Sequence, residues 1–256
     1  MNWLALAHKD ARGSIVTLDI KREYPIGKKI SDEPVIYVFD DFIQEVEIEN
    51  IVSTAKTKLQ RAQVSFQHGG GESDGRTGSN CWIDLLHNNV IAGLSRRVSE
   101  LVGIPLQNAE SLQVVHYGVS QEYQAHFDGW DHGSESGERC MARGGQRLVT
   151  CLLYFNDVEE GGGTGFPKLD IEVRAKKGRM ILFHNVYPGT NDKHALSLHG
   201  GLPVSKGEKW ACNFWFRERN YDIGSKKFSG NPANKKANKG PRKPTTKKGT
   251  KFKRRR

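Results

Sequence analysis

His126-Phe127-Asp128 places an imidazole and a carboxylate two residues apart. On a strand, residues i and i+2 face the same side, so the two groups converge while Phe127 turns away into packing. Such a pair can occupy neighbouring positions on a metal ion, or it can be an ordinary hydrogen-bonded His–Asp pair. The motif alone does not separate the two. A third ligand has to come from the second half of the chain, where His184, His194 and His199 lie on or after strand-like runs. His199 is favoured, because a lysine, Lys209, follows it 10 residues on. The segment between them, residues 200–207 (GGLPVSKG), is turn-like. A hairpin centred near Val204 would set His199 and Lys209 opposite each other on neighbouring strands, with Cβ atoms ~4.5–5.5 Å apart. A lysine on an inward face is costly without an anionic partner. A dicarboxylate bound beside a metal would supply one.

The elements that must hold these residues are legible as runs. Pro34–Phe39 (PVIYVF) reads as a buried strand. Gln44–Gln60 sets Val46, Ile51, Val52, Ala55 and Leu59 at helical spacing. A second helix is expected from Asn88 or Asn89, with Val90, Leu94, Val98 and Leu101 as its stripe and Gly103 as its end. Residues 68–80 (HGGGESDGRTGSN) read as a loop long enough to suggest a function. Leu112–Tyr117, Leu148–Phe155, Arg179–His184 and Trp210–Arg217 are β-branched or aromatic runs separated by Gly-rich turns. On the last of these, Lys209 shares its parity with Ala211, Asn213, Trp215 and Arg217. Cys151 and Cys212 sit inside strands and read as small hydrophobes. Helices first and strands afterwards predict an α+β domain with an antiparallel core, closed or sandwiched to hide its edges.

Charge divides the chain of 256 residues. Lys plus Arg total 39 against 29 acids, yet residues 222–256 alone hold 14 bases and one acid, leaving residues 1–221 at a net −3. That basic, apolar-poor tail is expected to be disordered and to make non-specific contact with nucleic acid or another polyanion. No apolar run approaches the ~20 residues of a membrane span. Trp3–Ala7 is too short for the apolar stretch of a signal peptide. The four cysteines form no C-x-x-C pair, which indicates neither a disulfide framework nor a zinc ribbon. The expectation is a soluble intracellular protein, cytoplasmic or directed to the nucleus by its tail.

Two His and one carboxylate with open positions on one side are the donors of the non-haem Fe(II) oxygenase triad. From here a longer likeness is visible. Residues 34–219 resemble the catalytic domain of prolyl 4-hydroxylases, Fe(II)/2-oxoglutarate dioxygenases built on a double-stranded β-helix (jelly-roll) core. The matching text is RTGSNCWI (76–83), NAESLQVVHYGVSQEYQAHFD (108–128), QRLVTCLLYFNDVEEGGGTGFP (146–167), KKGRMILFHN (176–185) and SLHGGLPVSKGEKWACNFWFRE (197–218).

The resemblance implies Fe(II) on His126, Asp128 and His199, and the distal carboxylate of 2-oxoglutarate on Lys209, with the hydroxyls of Tyr117 and Thr164 beside it. It implies that Arg147 and Trp215 line a peptide site, and that residues 68–80 and 129–145 close over the peptide. O2 is the implied oxidant, ascorbate the reductant, succinate and CO2 the co-products, and C4 of a prolyl residue the target. The chain departs from the family at 129–145 (GWDHGSESGERCMARGG), a longer loop. Because of that loop, substrate preference does not carry over; the chain departs again at Gly161-Gly162-Gly163-Thr164, which keeps the Thr of the usual GGET but loses its acid. The expected domains are an N-terminal extension (1–33), the catalytic domain (34–221) and the basic tail (222–256).

Two other readings use part of the same text. One is an oxygenase on this core that acts on another side chain or on nucleic acid. The other is a non-catalytic β-barrel module, which has no need of both the triad and Lys209. His132, just beyond Asp128, is expected to be solvent-exposed rather than a ligand.

Overall fold

The structure, a computed structural model, describes residues 19–62 and 74–221, together with the backbone alone of short strands at 8–9, 15–16, 64–66 and 69–71. The basic tail and its expected disorder lie outside the described residues, as do positions 68, 72 and 73 of the expected loop. No helix among the described residues is long and apolar enough to cross a membrane.

Twelve strands make two facing antiparallel sheets. In chain order they are β1 (Lys28–Asp32), β2 (Val35–Phe39), β3 (Gln60–Arg61), β4 (Ser79–Ile83), β5 (Leu112–Tyr117) and β6 (Tyr123–His126). There follow β7 (Arg147–Tyr154), β8 (Thr164–Phe166), β9 (Ile171–Val173), β10 (Met180–His184), β11 (His199–Gly201) and β12 (Lys209–Arg217). The major sheet runs β1-β2-β10-β7-β12-β5-β4-β3 and the minor sheet β6-β11-β8-β9. This is the expected sandwiched α+β core.

Period-two alternation sorts the side chains of the central strands between two cores. Val149, Cys151 and Leu153 of β7 join Val114, Cys212, Phe214 and Phe216 on the side covered by the helices. Leu152 and Tyr154 join Val115, Ala211, Ile181 and Phe183 on the other side, against Phe166 and Val173 of the minor sheet. Each large apolar side chain so withdrawn contributes about 1.5–3 kcal/mol. Because β7 and β12 are covered on both faces, they read as continuous apolar runs, and the few polar residues on them stand out.

Helix α1 (Glu45–Lys56) starts at a capping box in which the Gln44 N–H donates to Glu47 Oε2 at 2.9 Å. It is shorter than the expected Gln44–Gln60, and its buried face is Ile48, Ile51 and Ala55; Val46 of the expected stripe is 59 % exposed. Helix α2 (Asn89–Val102) is capped by the Asn88 carboxamide and ends at Gly103, whose φ of 78° is the left-handed conformation that favours glycine. Its buried face is Ile91, Leu94, Val98 and Val102, so Val90 and Leu101 flank the stripe rather than centre it.

Three expectations need correction. Residues 68–80 are not loop throughout, since Gly69–Gly71 pairs with Val64–Phe66 and β4 begins at Ser79. The boundary at residue 34 falls inside a hairpin: β1 pairs with β2, and Tyr24 is buried with its hydroxyl 2.9 Å from His184 Nε2. Most important, His199 and Lys209 are not partners across a hairpin. Strand β11 pairs with β6 and β8, whereas β12 pairs with β7 and β5. The chain between them crosses from one sheet to the other, pausing where Val204–Lys206 pairs with Glu160–Gly161.

Candidate active site

The cleft between the sheets brings His126, Asp128 and His199 together. One nitrogen from each imidazole and one carboxylate oxygen lie within 4.8 Å of one another, and this is the one such cluster among the described residues. His126 ends β6 and faces His199, which begins β11, in register. Asp128 lies just past the end of β6, so the alternation argument reaches the right convergence through a strand end rather than a continuous strand. Phe127 does turn away, but to lie under the Lys193 ammonium, 4.2 Å from the ring centre. Gly200 lets β11 approach this closely: a Cβ there would stand 3.0 Å from the Tyr123 carbonyl oxygen.

Both rings are held in one tautomer by their own backbone. Nδ1 of His126 lies 2.8 Å from the Gln124 carbonyl oxygen and Nδ1 of His199 lies 3.0 Å from that of Ser197. A carbonyl only accepts, so each Nδ1 carries the proton and each Nε2 presents a lone pair. Those Nε2 atoms stand 3.7 Å from Asp128 Oδ1 and 3.5 Å from Oδ2. Burial, with the His199 charge beside it, pushes the His126 pKa down to about 3, which keeps the ring neutral.

Asp128 is 4 % exposed. Its Oδ2 accepts from the Thr150 hydroxyl and from the Trp215 indole N–H, both at 2.8 Å, and Asn185 Nδ2 donates to the same Thr150 oxygen at 2.8 Å. Oδ1 accepts no hydrogen bond from the described residues, which leaves it the freer oxygen. Burial alone would raise this carboxyl, but His199, His126, Arg147 and the Trp215 N–H hold it at about 2. A carboxylate beside two imidazole Nε2 lone pairs suits a divalent transition metal. The donor set therefore fits the metal expected from the sequence.

Lys209, the first residue of β12, is 3 % exposed. Its Nζ donates to the Gly163 carbonyl at 3.3 Å and meets no carboxylate among the described residues. Burial pushes its pKa down to about 7. The same cleft is lined by His126, His199, Thr164, Tyr117 and Tyr123. A Cβ on Gly201, two residues past His199, would lie 3.6 Å from the Nζ. Lys209 thus faces the His126–Asp128–His199 cluster across the cleft from the major sheet. A buried ammonium with a carbonyl for company fits an incoming carboxylate.

Thr164 and Tyr117 both line this end, each already engaged. Thr164 Oγ1 lies 2.5 Å from the Tyr154 hydroxyl, and Tyr117 is hydrogen-bonded to Arg76. Arg147 and Trp215 stand on the Asp128 side. Arg147 forks onto Glu110, Nε to Oε1 at 2.6 Å and Nη2 to Oε2 at 2.9 Å, and its guanidinium lies 3.6 Å from the Trp215 ring centre. Both residues position the carboxylate side of the cluster. Of the rival ligands, His184 bonds Tyr24, and His194 Nε2 lies 3.2 Å from Glu33 Oε2; neither joins the cluster. His132 Nε2 lies 3.1 Å from the Asn191 carbonyl oxygen, likewise outside it.

Several residues of the site escaped the sequence reading. Thr150 and Asn185 fix Asp128, and a lone threonine inside the apolar run LVTCLLYF was the available signal. Tyr123 stacks on His126 at 3.6 Å between ring centres, and the Arg76 guanidinium lies 4.5 Å from the Tyr123 ring centre. Glu110 accepts from Arg147 and Arg217, two cations on one buried carboxylate. Residues 129–145 contain a capped helix, α3 (Glu135–Met141), and Gln146 pins the segment by bonds to both the N–H and the carbonyl of Trp130.

Residues 112–217 match the family model of the 2OG-Fe(II) oxygenase superfamily. Prolyl 4-hydroxylase 2 of Arabidopsis thaliana is 34% identical over 218 residues, covering 76% of this chain and 71% of its own. A putative prolyl 4-hydroxylase of Acanthamoeba polyphaga mimivirus is 32% identical over 211 residues, 82% of this chain and 86% of that one. Among solved structures, the viral collagen prolyl hydroxylase of Paramecium bursaria Chlorella virus-1, in its 2-oxoglutarate complex, superposes with a TM-score of 0.56 at 27% identity, covering 71% of this chain and 95% of that one. Shared sequence over three quarters of the chain, on the same sandwich, leads to one conclusion: the protein belongs to the prolyl 4-hydroxylase family of Fe(II)- and 2-oxoglutarate-dependent oxygenases.

Proposed function

We propose that this chain hydroxylates C4 of prolyl residues in a peptide or protein, with His126, Asp128 and His199 holding Fe(II) and Lys209 holding the far carboxylate of 2-oxoglutarate. The observation that carries the reading is the pairing of an acid-free buried ammonium with a His–Asp–His cluster in one cleft. Fe(II), when bound, supplies the redox centre at which 2-oxoglutarate and O2 are turned into succinate, CO2 and a transferable oxygen atom.

The chain's own residues supply position and dryness. The Gln124 and Ser197 carbonyls aim two lone pairs inward. Thr150, Trp215 and Arg147 keep Asp128 ionised and oriented. Lys209, between the rings of Tyr117 and Tyr154 with centres 5.8 Å and 5.3 Å away, offers a charge-assisted hydrogen bond in a water-poor wall. Thr164 and Tyr117 add hydroxyls at that end. Ascorbate is the expected reductant. The basic tail, by its charge of 14 bases against one acid, supports non-specific polyanion contact.

The test is incubation of iron-loaded protein with proline-containing peptides, 2-oxoglutarate and O2, read by mass spectrometry and by succinate release. Gain of one oxygen on proline, matched by one succinate, is expected. Succinate release driven by a nucleic acid and by none of the peptides would replace this reading with the nucleic-acid oxygenase.

A further inference from the structure

Trp82 does not behave like its neighbours on β4. Cys81 and Ile83 enter the helix-side core, whereas Trp82 points to the opposite face and is 49 % exposed. It pairs with Gln113, which in turn pairs with Asn213, so the indole shares a face of the major sheet with Asn213 and Trp215. Its ring centre is 6.0 Å from that of Trp215. Trp215 carries the Arg147 guanidinium on its ring, and the same guanidinium lies 4.8 Å from the Trp130 ring centre. Four flat groups thus follow one another: Trp130, Arg147, Trp215 and Trp82. Arg147 is fixed by Glu110 and Trp215 by Asp128, while Trp82 ends the row in solvent.

Among the described residues, nothing in the packing of β4 calls for an indole at a half-exposed position. Its place does suggest a use. Trp215 donates to Asp128 at 2.8 Å, so the Trp82 ring stands one aromatic residue away from the metal-ligand cluster. At ~3.3 Å per extended residue, a peptide whose target lies at the cluster crosses Trp82 within one to three residues of that target. A rigid indole face favours a partner that is flat and loses little entropy, with C–H groups to set on the electron-rich ring. The proline ring meets all three conditions, and aromatic-lined grooves recognise proline segments in this way.

We propose that Trp82 is a specificity-determining residue whose indole takes the ring of a second proline, one to three residues from the proline that is hydroxylated. The proposal rests on the prolyl-hydroxylase reading above.

The test uses peptides with one target proline and, at each flanking place within three residues, proline, glycine or lysine. Kd is measured calorimetrically on the full chain loaded with Mn(II) and 2-oxoglutarate without O2, and kcat and KM are measured with Fe(II). The wild type is expected to favour a second proline over glycine by on the order of fivefold in Kd and KM. Trp82→Ala should abolish that preference through KM, and Trp82→Phe should keep most of it. Leu86→Ser, at an exposed site three residues beyond the strand, should behave as wild type. A wild type that hydroxylates all the peptides alike, a Trp82→Ala that keeps the preference, or a stronger preference for lysine overturns the Trp82 assignment alone. A wild type that hydroxylates no prolyl peptide overturns the parent reading, and this one with it.

Discussion

Lys209→Met exchanges a buried ammonium for an apolar side chain of similar length, and stability and function should move in opposite directions. Burial holds the folded pKa at about 7, against 10.5 for an ordinary lysine. The sign follows from which state binds the proton more readily. Above about pH 10.5 both states are neutral and Lys209 costs nothing. As pH falls from 10.5 towards 7 the unfolded chain takes up a proton that the folded chain refuses, and the folded state loses about 1.4 kcal/mol per pH unit. Below 7 both are protonated and the penalty stays at its full value, about 5 kcal/mol on the order of magnitude. Without cosubstrate, Lys209→Met should therefore be more stable than wild type by several kcal/mol at pH 6–7, the gap closing as pH rises to 10.

In the proposed role of Lys209, the same change removes the charge-assisted partner of the cosubstrate carboxylate, a loss of about 2–5 kcal/mol for a desolvated pair. That corresponds to a rise of roughly thirtyfold to a few thousandfold in the 2-oxoglutarate KM. Arg147 cannot substitute, because its guanidinium is already committed to Glu110 on the Asp128 side. The assays are urea melts across pH 6–10 and 2-oxoglutarate titration of turnover and of binding. Equal stability of the two proteins at pH 7, together with an unchanged KM, would refute the placement of Lys209 as a buried cation awaiting an anion.

His126→Ala, Asp128→Ala and His199→Ala should each abolish 2-oxoglutarate turnover while the chain still melts cooperatively, and His194→Ala should stay active; a dead His194 variant beside a live His199 variant would reverse the ligand choice. Thr150→Val removes one of the two donors on Asp128 Oδ2 and should weaken metal binding roughly 10–100-fold, read by metal titration; wild-type affinity would mean the Trp215 N–H suffices. Glu110→Gln strands two buried guanidinium groups, an expected loss of about 3–5 kcal/mol. Burial would raise the Glu110 pKa, but Arg147 and Arg217 lower it, so its contribution is present above the unfolded carboxyl value and is lost as pH falls through the folded one. Urea melts should show the gap between variant and wild type closing below about pH 4. Truncation after Tyr221 should keep turnover of a short prolyl peptide and remove salt-sensitive polyanion binding; loss of peptide turnover in a folded truncation would place the tail in the catalytic unit.

Sequence alone determined the strand runs, because β-branched and aromatic residues in the doubly covered strands β7, β10 and β12 leave no competing period. It also determined which histidine and which lysine to weigh, through the ten-residue interval from His199 to Lys209 and the family text around it. What it could not carry was the route between them. A local hairpin is the shortest way to oppose two residues, and turn residues at 200–207 suit one, but the pairing of β11 with β6 and β8 is a long-range choice that local spacing does not encode. The tertiary structure put His199 and Lys209 on opposite walls of a cleft, a place where a cosubstrate can lie between them. It also decided what surrounds Asp128. Thr150, Asn185, Trp215 and the Glu110–Arg147 fork come from four separate strands or their ends, and only the long-range pairing order of the major sheet makes them neighbours.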